Sequence, residues 1–279
     1  MASSRHRVCA FIAVLFLLVN LFGAAAFSGN KTNSFYYKDY SYILRTYVNN
    51  DGMVNYKKLK TDKALLDKFI ISIGALDEKI YNTWNRNEKL AFWINTYNAL
   101  TLDIVLKNYP IQASLYLGLR FPKNSIRQIS GVWDEIEFKV MNKSMTLNHI
   151  EHNIIRKEFD EPRIHLALVC ASKGCPPLSN VPYTGGKLGV QLSGQARKFL
   201  KIPQNFRIDD SSKTVFVSSI FQWYGDDFTK SHGVSANNTW YSTSEISVLN
   251  FISKNINAEI ISRKYKLKYL DYDWSLNEQ

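Results

Sequence analysis

The sequence predicts a single α+β domain in which several helices pack against a mainly antiparallel sheet. Helical hydrophobic periodicity recurs along the 279-residue chain, and short extended patterns lie between the helical ones. No internal repeat, low-complexity tract or Pro/Gly-rich linker interrupts the chain after its apolar N-terminal run, and aromatic residues continue to the end in YLDYDWSLN. Such a C-terminus is not typical of a disordered tail, so one continuous domain is expected.

Residues 1–26 are predicted to be a cleaved signal peptide. Arg5 and Arg7 precede a long apolar run that ends in three alanines at 24–26, where a signal peptidase would cut. An uncleaved membrane anchor is the alternative, but the run is short for a bilayer span. We therefore expect a secreted protein, outside the cell or in the lumen of the secretory pathway, with no membrane span after cleavage.

The N-x-S/T triplets and the net charge of the chain indicate its candidate modifications and partners. Three N-x-S/T triplets would be glycosylation acceptors in a eukaryotic secretory pathway, at Asn30, Asn142 and Asn237. The formal net charge of +11 makes an anionic glycan or an extracellular protein a candidate partner. Because Lys and Arg are scattered along the chain, nucleic acid is not expected to bind.

The one dense basic run is RKYKLKYL, which begins at Arg263. In an extended strand Lys264, Lys266 and Lys268 would share one face and leave the apolar residues on the other. That face is either a solvated outer surface or a strip that binds an anionic ligand.

Hydrophobic periodicity assigns the elements in chain order. Helices are predicted at residues 61–73, 88–107, 147–158, 187–200 and 244–255. Strands are predicted at residues 135–140, 164–170, 207–208, 214–217 and 259–270. Ser242 and Glu245 have the spacing of a capping box. After the signal peptide, we expect residues 27–87 to form a helical extension that packs on a globular domain of residues 88–279.

The helix predicted at 88–107 carries polar groups on a face that should be buried. Asn95 lies within its apolar stripe, Glu88 lies at the start of the stripe, and Asn98 lies at its edge. Buried amides must be hydrogen-bonded, so these residues belong to a polar network. The network either ties the helix to the sheet or supports a reactive site.

A carboxylate interrupts the apolar face of the helix predicted at 147–158. Glu151 lies in the middle of that face, whereas His152 and Arg156 point away from it. A desolvated Glu151 is a candidate acid or base, although a partner such as Arg163 would make it structural. His149 and His152 are three residues apart but lack a third ligand, so no metal site is predicted.

The stretch RIHLALVCASKGCPPL leaves two interpretations of its cysteines open. Cys9 leaves with the signal peptide, and two remaining cysteines in an oxidising compartment usually pair, which favours a Cys170–Cys175 disulfide. Alternatively, Cys170 is the nucleophile of a thiol-dependent hydrolase or acyltransferase and His165 is its base. Strand alternation would put these two side chains on opposite faces, so this pair requires the chain to turn by Cys170.

A base in such a site also needs an orienting group. Asn95, Asn98 or Glu151 could provide it for His165. Non-enzymatic binding of an anionic glycan or a protein partner by a disulfide-stabilised domain is the alternative function. The sequence contains no P-loop, dinucleotide-binding fingerprint, zinc-ribbon spacing or serine nucleophile elbow, so no cofactor is predicted.

Five blocks, FWINTYNALTL, LNHIEHNIIR, PRIHLALVCASKGCPPL, IFQWYGDDF and YLDYDWSLN, occur in this order. Together they resemble the uncharacterised family known as domain of unknown function 547, over residues 88–277. The family has no established activity to transfer, but its recurrent polar positions match Asn95, Asn98, Glu151, His152, Arg156, His165, Cys170, Ser172 and Cys175. The resemblance therefore implies one shared polar site.

Overall fold

The computed structural model describes residues 34–233 and 240–279. The predicted signal peptide and the triplets at Asn30 and Asn237 lie outside these residues. Ser34–Gln279 form one compact unit that combines many helices with two small sheets, so the predicted single α+β domain is confirmed. In the described ranges, no helix is both long enough and apolar enough to cross a bilayer.

The helices account for most of the regular structure. They are α1 (Lys38–Tyr47), α2 (Tyr56–Thr61), α3 (Ala64–Ala75), α4 (Glu78–Asn82), α5 (Arg86–Asn108), α6 (Arg156–Glu158), α7 (Leu188–Leu200), α8 (Ser219–Trp223), α9 (Thr229–His232) and α10 (Thr243–Ile256). Short 3-10 turns lie at Leu117–Leu119, Ile126–Gln128, Pro162–Leu166, Gly185–Lys187, Gly225–Phe228 and Ile261–Arg263. The capping box predicted at Ser242 and Glu245 begins α10.

Two small sheets complete the fold. The strands are β1 (Glu137–Val140), β2 (Lys143–Thr146), β3 (Phe206–Asp209), β4 (Thr214–Ser218) and β5 (Lys266–Leu270). β1 and β2 form an antiparallel hairpin, while β4 pairs antiparallel with β3 and parallel with β5. Two of these three ladders are antiparallel, as the sequence predicts.

Helix α5 runs through the centre of the larger core. It begins with a capping box in which Asn85 and Glu88 exchange side-chain and backbone hydrogen bonds, and all of residues 90–106 are buried. Tyr40, Leu59 and Phe69, from the segment predicted as a helical extension, lie in the same core. A smaller core of α7, α10 and the three-stranded sheet lies beside it.

The prediction of a strand at residues 164–170 is wrong. Pro162–Leu166 is a 3-10 turn, and the chain continues without regular structure to Cys170. The Asn98 amide supplies the pairing that a neighbouring strand would give, because Nδ2 donates to the Ala167 carbonyl at 2.9 Å and Oδ1 accepts from the Val169 N–H at 2.9 Å. A short apolar run that is buried all round does not reveal its backbone conformation.

Two further segments differ from their predictions. His149–Ile155 is a π-helix that precedes α6, where an α-helix over 147–158 was expected. The strand expected at 259–270 is reduced to β5, because the chain first makes a 3-10 turn and then passes through Lys264 with φ 52°. Both differences concern the local backbone conformation, a π-helix in one segment and a 3-10 turn in the other. The spacing of apolar side chains gives little information on either of these conformations.

Replacing Asn98 should destabilise the fold strongly. Asn98→Ala leaves a buried carbonyl and a buried N–H unpaired, which we expect to lower the free energy of unfolding by about 3 kcal/mol. Denaturant unfolding followed by circular dichroism measures this change. Asn108→Ala is the control, because its amide donates only to Ile104 within the same helix, at an exposed end. Equal losses in the two variants would contradict the tethering role of Asn98.

Candidate functional site

A cavity of about 360 Å³ gathers several residues that the sequence singled out. Glu151 and His152 reach it from the π-helix, His165 from the 3-10 turn after α6, and Cys170 and Cys175 from the following loop. Its volume falls within the range typical of small-ligand sites. The π-helix is a recurrent feature of functional sites, since its extra residue per turn redirects side chains.

Asp227 joins His165 to Arg156. It accepts from His165 Nε2 at 2.7 Å and from Arg156 Nε and Nη2 at 2.7 and 2.8 Å. Burial opposes ionisation of Asp227, but the hydrogen bonds from Arg156 and His165 outweigh it and hold the pKa of Asp227 below its usual range. The orienting partner of His165 is therefore Asp227, which sequence reasoning missed although it lies in the block IFQWYGDDF.

His165 is almost completely buried and stacks on Tyr224, with ring centroids 3.9 Å apart. Burial lowers the pKa of His165, and the hydrogen bond to Asp227 opposes this only in part, so the ring is neutral at physiological pH. A neutral ring that donates Nε2–H to Asp227 has its remaining lone pair on Nδ1.

Glu151 is bonded to tyrosine rather than to arginine. The Tyr224 hydroxyl donates to Glu151 Oε1 at 2.9 Å, and burial, followed by the nearby Glu151 charge, raises the pKa of Tyr224. Arg163, the partner considered for Glu151 from the sequence, binds Glu161 instead, with Nε 2.7 Å from Oε1. The Glu151 side chain is thus buried at the wall of the cavity, where an uncharged hydroxyl donates to it.

His152 bonds to Arg156, whose Nη1 lies 2.9 Å from His152 Nδ1. His149 is exposed and contacts Asn153 at 3.1 Å, so the two histidines of the HxxH pair have different partners. Within residues 34–233 and 240–279, no three His, Cys, Asp or Glu side chains are grouped as ligands for a metal ion.

The sulfur atoms of Cys170 and Cys175 lie at disulfide-bonding distance. Cys170 is partly exposed, whereas Cys175 is 6% exposed. The Tyr272 hydroxyl lies 3.1 Å from Cys170 Sγ and 3.0 Å from Cys175 Sγ, and the Cys170 N–H donates to Cys175 Sγ at 2.9 Å. The two sulfurs therefore share one hydroxyl, while the more buried sulfur has a second donor.

Ser172 and the C-terminal segment hold this loop in place. The Ser172 hydroxyl donates to the Tyr272 oxygen at 2.9 Å, which leaves the Tyr272 proton for a sulfur atom. Burial raises the pKa of Tyr272, so the phenol remains a donor. Gly174 N–H donates to the Asp273 carbonyl at 2.8 Å, and Ala171 adopts a left-handed φ of 58°. Strained backbone of this kind is common where a side chain has a function.

Arg127 forms the cationic part of the cavity wall. Its guanidinium carbon lies 4.5 Å from the Phe121 ring centroid, 5.3 Å from that of Trp133 and 5.2 Å from that of Trp274. Among the described residues, no carboxylate forms an ion pair with it. Burial, with a smaller effect from Arg120, lowers the pKa of Arg127. A partly desolvated guanidinium without a counterion is a natural site for a carboxylate.

Other predicted residues lie elsewhere. Asn95 pairs with the Tyr183 backbone, donating at 2.8 Å and accepting at 2.9 Å, and Asn98 holds the chain before Cys170. Glu88 caps α5. These three residues support the architecture around the cavity, and none of them lines it.

The remaining predicted sites are on the surface. Lys264, Lys266 and Lys268 are exposed, and Leu267 between the last two is partly buried. Only Lys266 and Lys268 lie in β5, because Lys264 precedes it with a left-handed φ of 52°, so the strand face predicted for all three lysines is reduced to two. Asn142 is exposed in the two-residue turn between β1 and β2, where its φ is 60°. Both positions leave the side chains accessible.

Acid should destabilise the protein, beginning near the ordinary histidine pKa of about 6.5. Burial lowers the pKa of His165 in the folded state, so the unfolded chain takes up the proton first and stability falls as the pH drops below that value. We expect the Tm of His165→Gln to change less than that of the wild type between about pH 7 and 5.

His232→Gln is the matched control. Burial also lowers the pKa of His232, with a smaller effect from Lys254, but this histidine is much less buried than His165. Its replacement should remove a smaller part of the pH dependence. If His165→Gln keeps the full wild-type slope of Tm against pH, the buried neutral histidine is not its source.

Comparison with known proteins agrees with the resemblance drawn from the sequence. No curated protein and no solved structure significantly matches the chain. The segment that a family model matches includes α5, the π-helix and the cysteine loop, whereas Asp227 and Tyr272 lie beyond it. The expected resemblance is therefore confirmed by the match of residues 81–200 to the family described as "Protein of unknown function, DUF547".

Proposed function

We propose that the protein exchanges thiols and disulfides through Cys170 and Cys175, with a low-molecular-mass thiol as the second reactant. The observation that carries this proposal is the asymmetry of the pair. Cys170 is partly exposed at the cavity, whereas Cys175 is nearly buried and accepts from the Cys170 N–H in addition to the Tyr272 hydroxyl that both sulfurs share. Thiol–disulfide exchange needs an accessible sulfur to attack and a stabilised sulfur to leave.

The forward step conserves atoms and electrons. An incoming thiolate attacks Cys170 Sγ and forms a mixed disulfide, while the bond between Cys170 and Cys175 breaks and its electron pair leaves on Cys175. A second thiolate then attacks the sulfur of the small molecule, which releases a small-molecule disulfide and leaves Cys170 as a thiolate. The overall reaction oxidises two thiols and reduces the protein disulfide, and the reverse reaction oxidises the protein.

Tyr272 would serve both stages. When Cys175 carries the negative charge, the Tyr272 hydroxyl and the Cys170 N–H can both donate to it. When Cys170 carries the charge, the same hydroxyl lies 3.1 Å away. Hydrogen bonds to an ionised acceptor are stronger than those to a neutral one, so these donors lower the free energy of each thiolate.

Thiol–disulfide exchange needs fewer catalytic groups around Cys170 than hydrolysis does. Hydrolysis or acyl transfer through Cys170 needs a base, whereas the described hydrogen-bond partners of Cys170 Sγ are the hydroxyls of Ser172 and Tyr272. His165 is not among these partners of the sulfur. We also propose an oxidising secretory compartment for this chemistry, because a disulfide persists there and the sequence predicts a signal peptide.

The two single-cysteine variants should react at different rates with oxidised glutathione. Cys175→Ser retains the accessible Cys170 thiol, and Cys170→Ser retains the buried Cys175 thiol, so each variant is the control for the other. We expect Cys175→Ser to take up a glutathionyl group at least about tenfold faster, because access governs attack. Mass spectrometry after acid quenching and alkylation measures the rates. Equal rates, or no adduct on Cys170, would rule out the proposal.

Arg127 should select thiols that carry a carboxylate. We expect Arg127→Gln to slow the reduction of the wild-type disulfide by glutathione roughly tenfold, since one charge-assisted hydrogen bond contributes about 1.5–3 kcal/mol. Reduction by 2-mercaptoethanol, which is uncharged apart from its thiol, should be unchanged. Arg207→Gln is the control, because Arg207 also stacks on an aromatic ring, that of Phe216, but lies outside the cavity lining. Equal slowing of both reductants would exclude carboxylate selection.

A further inference from the structure

The loop between α5 and the 3-10 turn Ile126–Gln128 exposes a cluster of large apolar side chains. Leu115, Tyr116 and Leu119 are 98%, 85% and 92% exposed. Other exposed apolar residues, such as Ile71 and Val190, lie in helices without such neighbours in sequence. Single exposed apolar residues are ordinary, but a group of three on one loop needs a partner. We call Leu115, Tyr116 and Leu119 the apolar tip.

The apolar tip is held outward by its own hydrogen bonds. The buried Gln128 side chain accepts from the Ser114 N–H at 3.0 Å and donates to the carbonyls of Phe121 and Pro122 at 3.0 and 3.1 Å. One amide thus closes both ends of the loop. Within it, the Gly118 N–H donates to the Ser114 carbonyl at 2.9 Å. The backbone therefore has a defined shape that presents the tip to its surroundings.

The charged residues that flank the apolar tip in the sequence all have one sign. Between Asp103 and Asp134 the sequence contains no Asp or Glu, and its charged residues are Lys107, Arg120, Lys123 and Arg127. Arg120 and Lys123 are exposed beside the tip, and neither forms an ion pair within the described part of the chain.

We propose that the apolar tip inserts into the surface of an anionic lipid bilayer, with Arg120 and Lys123 contacting the lipid headgroups. Three large side chains on a projecting loop suit insertion between headgroups, and a protein partner would have to supply an apolar recess for each of them. The adjacent cations add attraction for negatively charged lipids. This inference does not depend on the chemistry of Cys170 and Cys175.

Vesicle co-sedimentation of the full chain tests the proposal. The vesicles are phosphatidylcholine alone, or phosphatidylcholine containing phosphatidylglycerol. We expect the wild type to bind the anionic vesicles more strongly, and the double variant Leu115→Ser with Leu119→Ser to lose at least about tenfold in partition coefficient. Arg120→Gln with Lys123→Gln should weaken binding to anionic vesicles and remove most of its salt dependence.

Ile71→Ser with Val190→Ser is the matched control, because these two exposed apolar residues lie in α3 and α7 and should not affect binding. The N-terminal apolar run is the same in every variant, so only differences between variants report on the apolar tip. If the tip variant binds as the wild type does, or if the control variant loses as much binding, the proposal is overturned. If the wild type binds neither kind of vesicle, the proposal is also overturned. The partner of the apolar tip to be tested is then the surface of another protein.

Discussion

Backbone pairing by two buried amides of α5 is the interaction on which the rest of the structure depends. Asn95 binds the N–H and the carbonyl of Tyr183, and Asn98 binds the Ala167 carbonyl and the Val169 N–H. Each amide thereby makes the backbone hydrogen bonds that a neighbouring strand would make, for a segment that has no such strand. The irregular chain before Cys170 can be buried because its polar backbone groups are satisfied in this way.

Two parts of the cavity wall differ in their electrostatics. Around His165, the charges of Asp227 and Arg156 compensate each other, and burial keeps the imidazole neutral. Around the cysteines, the donors are uncharged hydroxyls and a backbone N–H. In the proposed exchange, this neutral donor set would stabilise a transient negative charge on sulfur without a permanent buried countercharge, which would be expensive to desolvate.

Arg127 connects the cavity to the loop that carries the apolar tip. Phe121 follows that loop and packs against both Trp274 and the Arg127 guanidinium. The cavity and the exposed loop therefore share one aromatic wall. A bilayer bound at the loop would lie near the Arg127 side of the cavity, where an anionic small molecule would bind.

The sequence by itself determined the fold class, the central helix, the capping box of α10 and the polar character of Asn95, Asn98 and Glu151. These features depend on local periodicity and on the cost of burying unpaired polar groups, both of which are properties of the residues themselves. Only the tertiary structure decided that Asn98 replaces a strand and that Asp227 and Tyr272 join the site. Those contacts join residues far apart in the chain, and side-chain pattern carries no information on which distant backbone or carboxylate will satisfy a buried group.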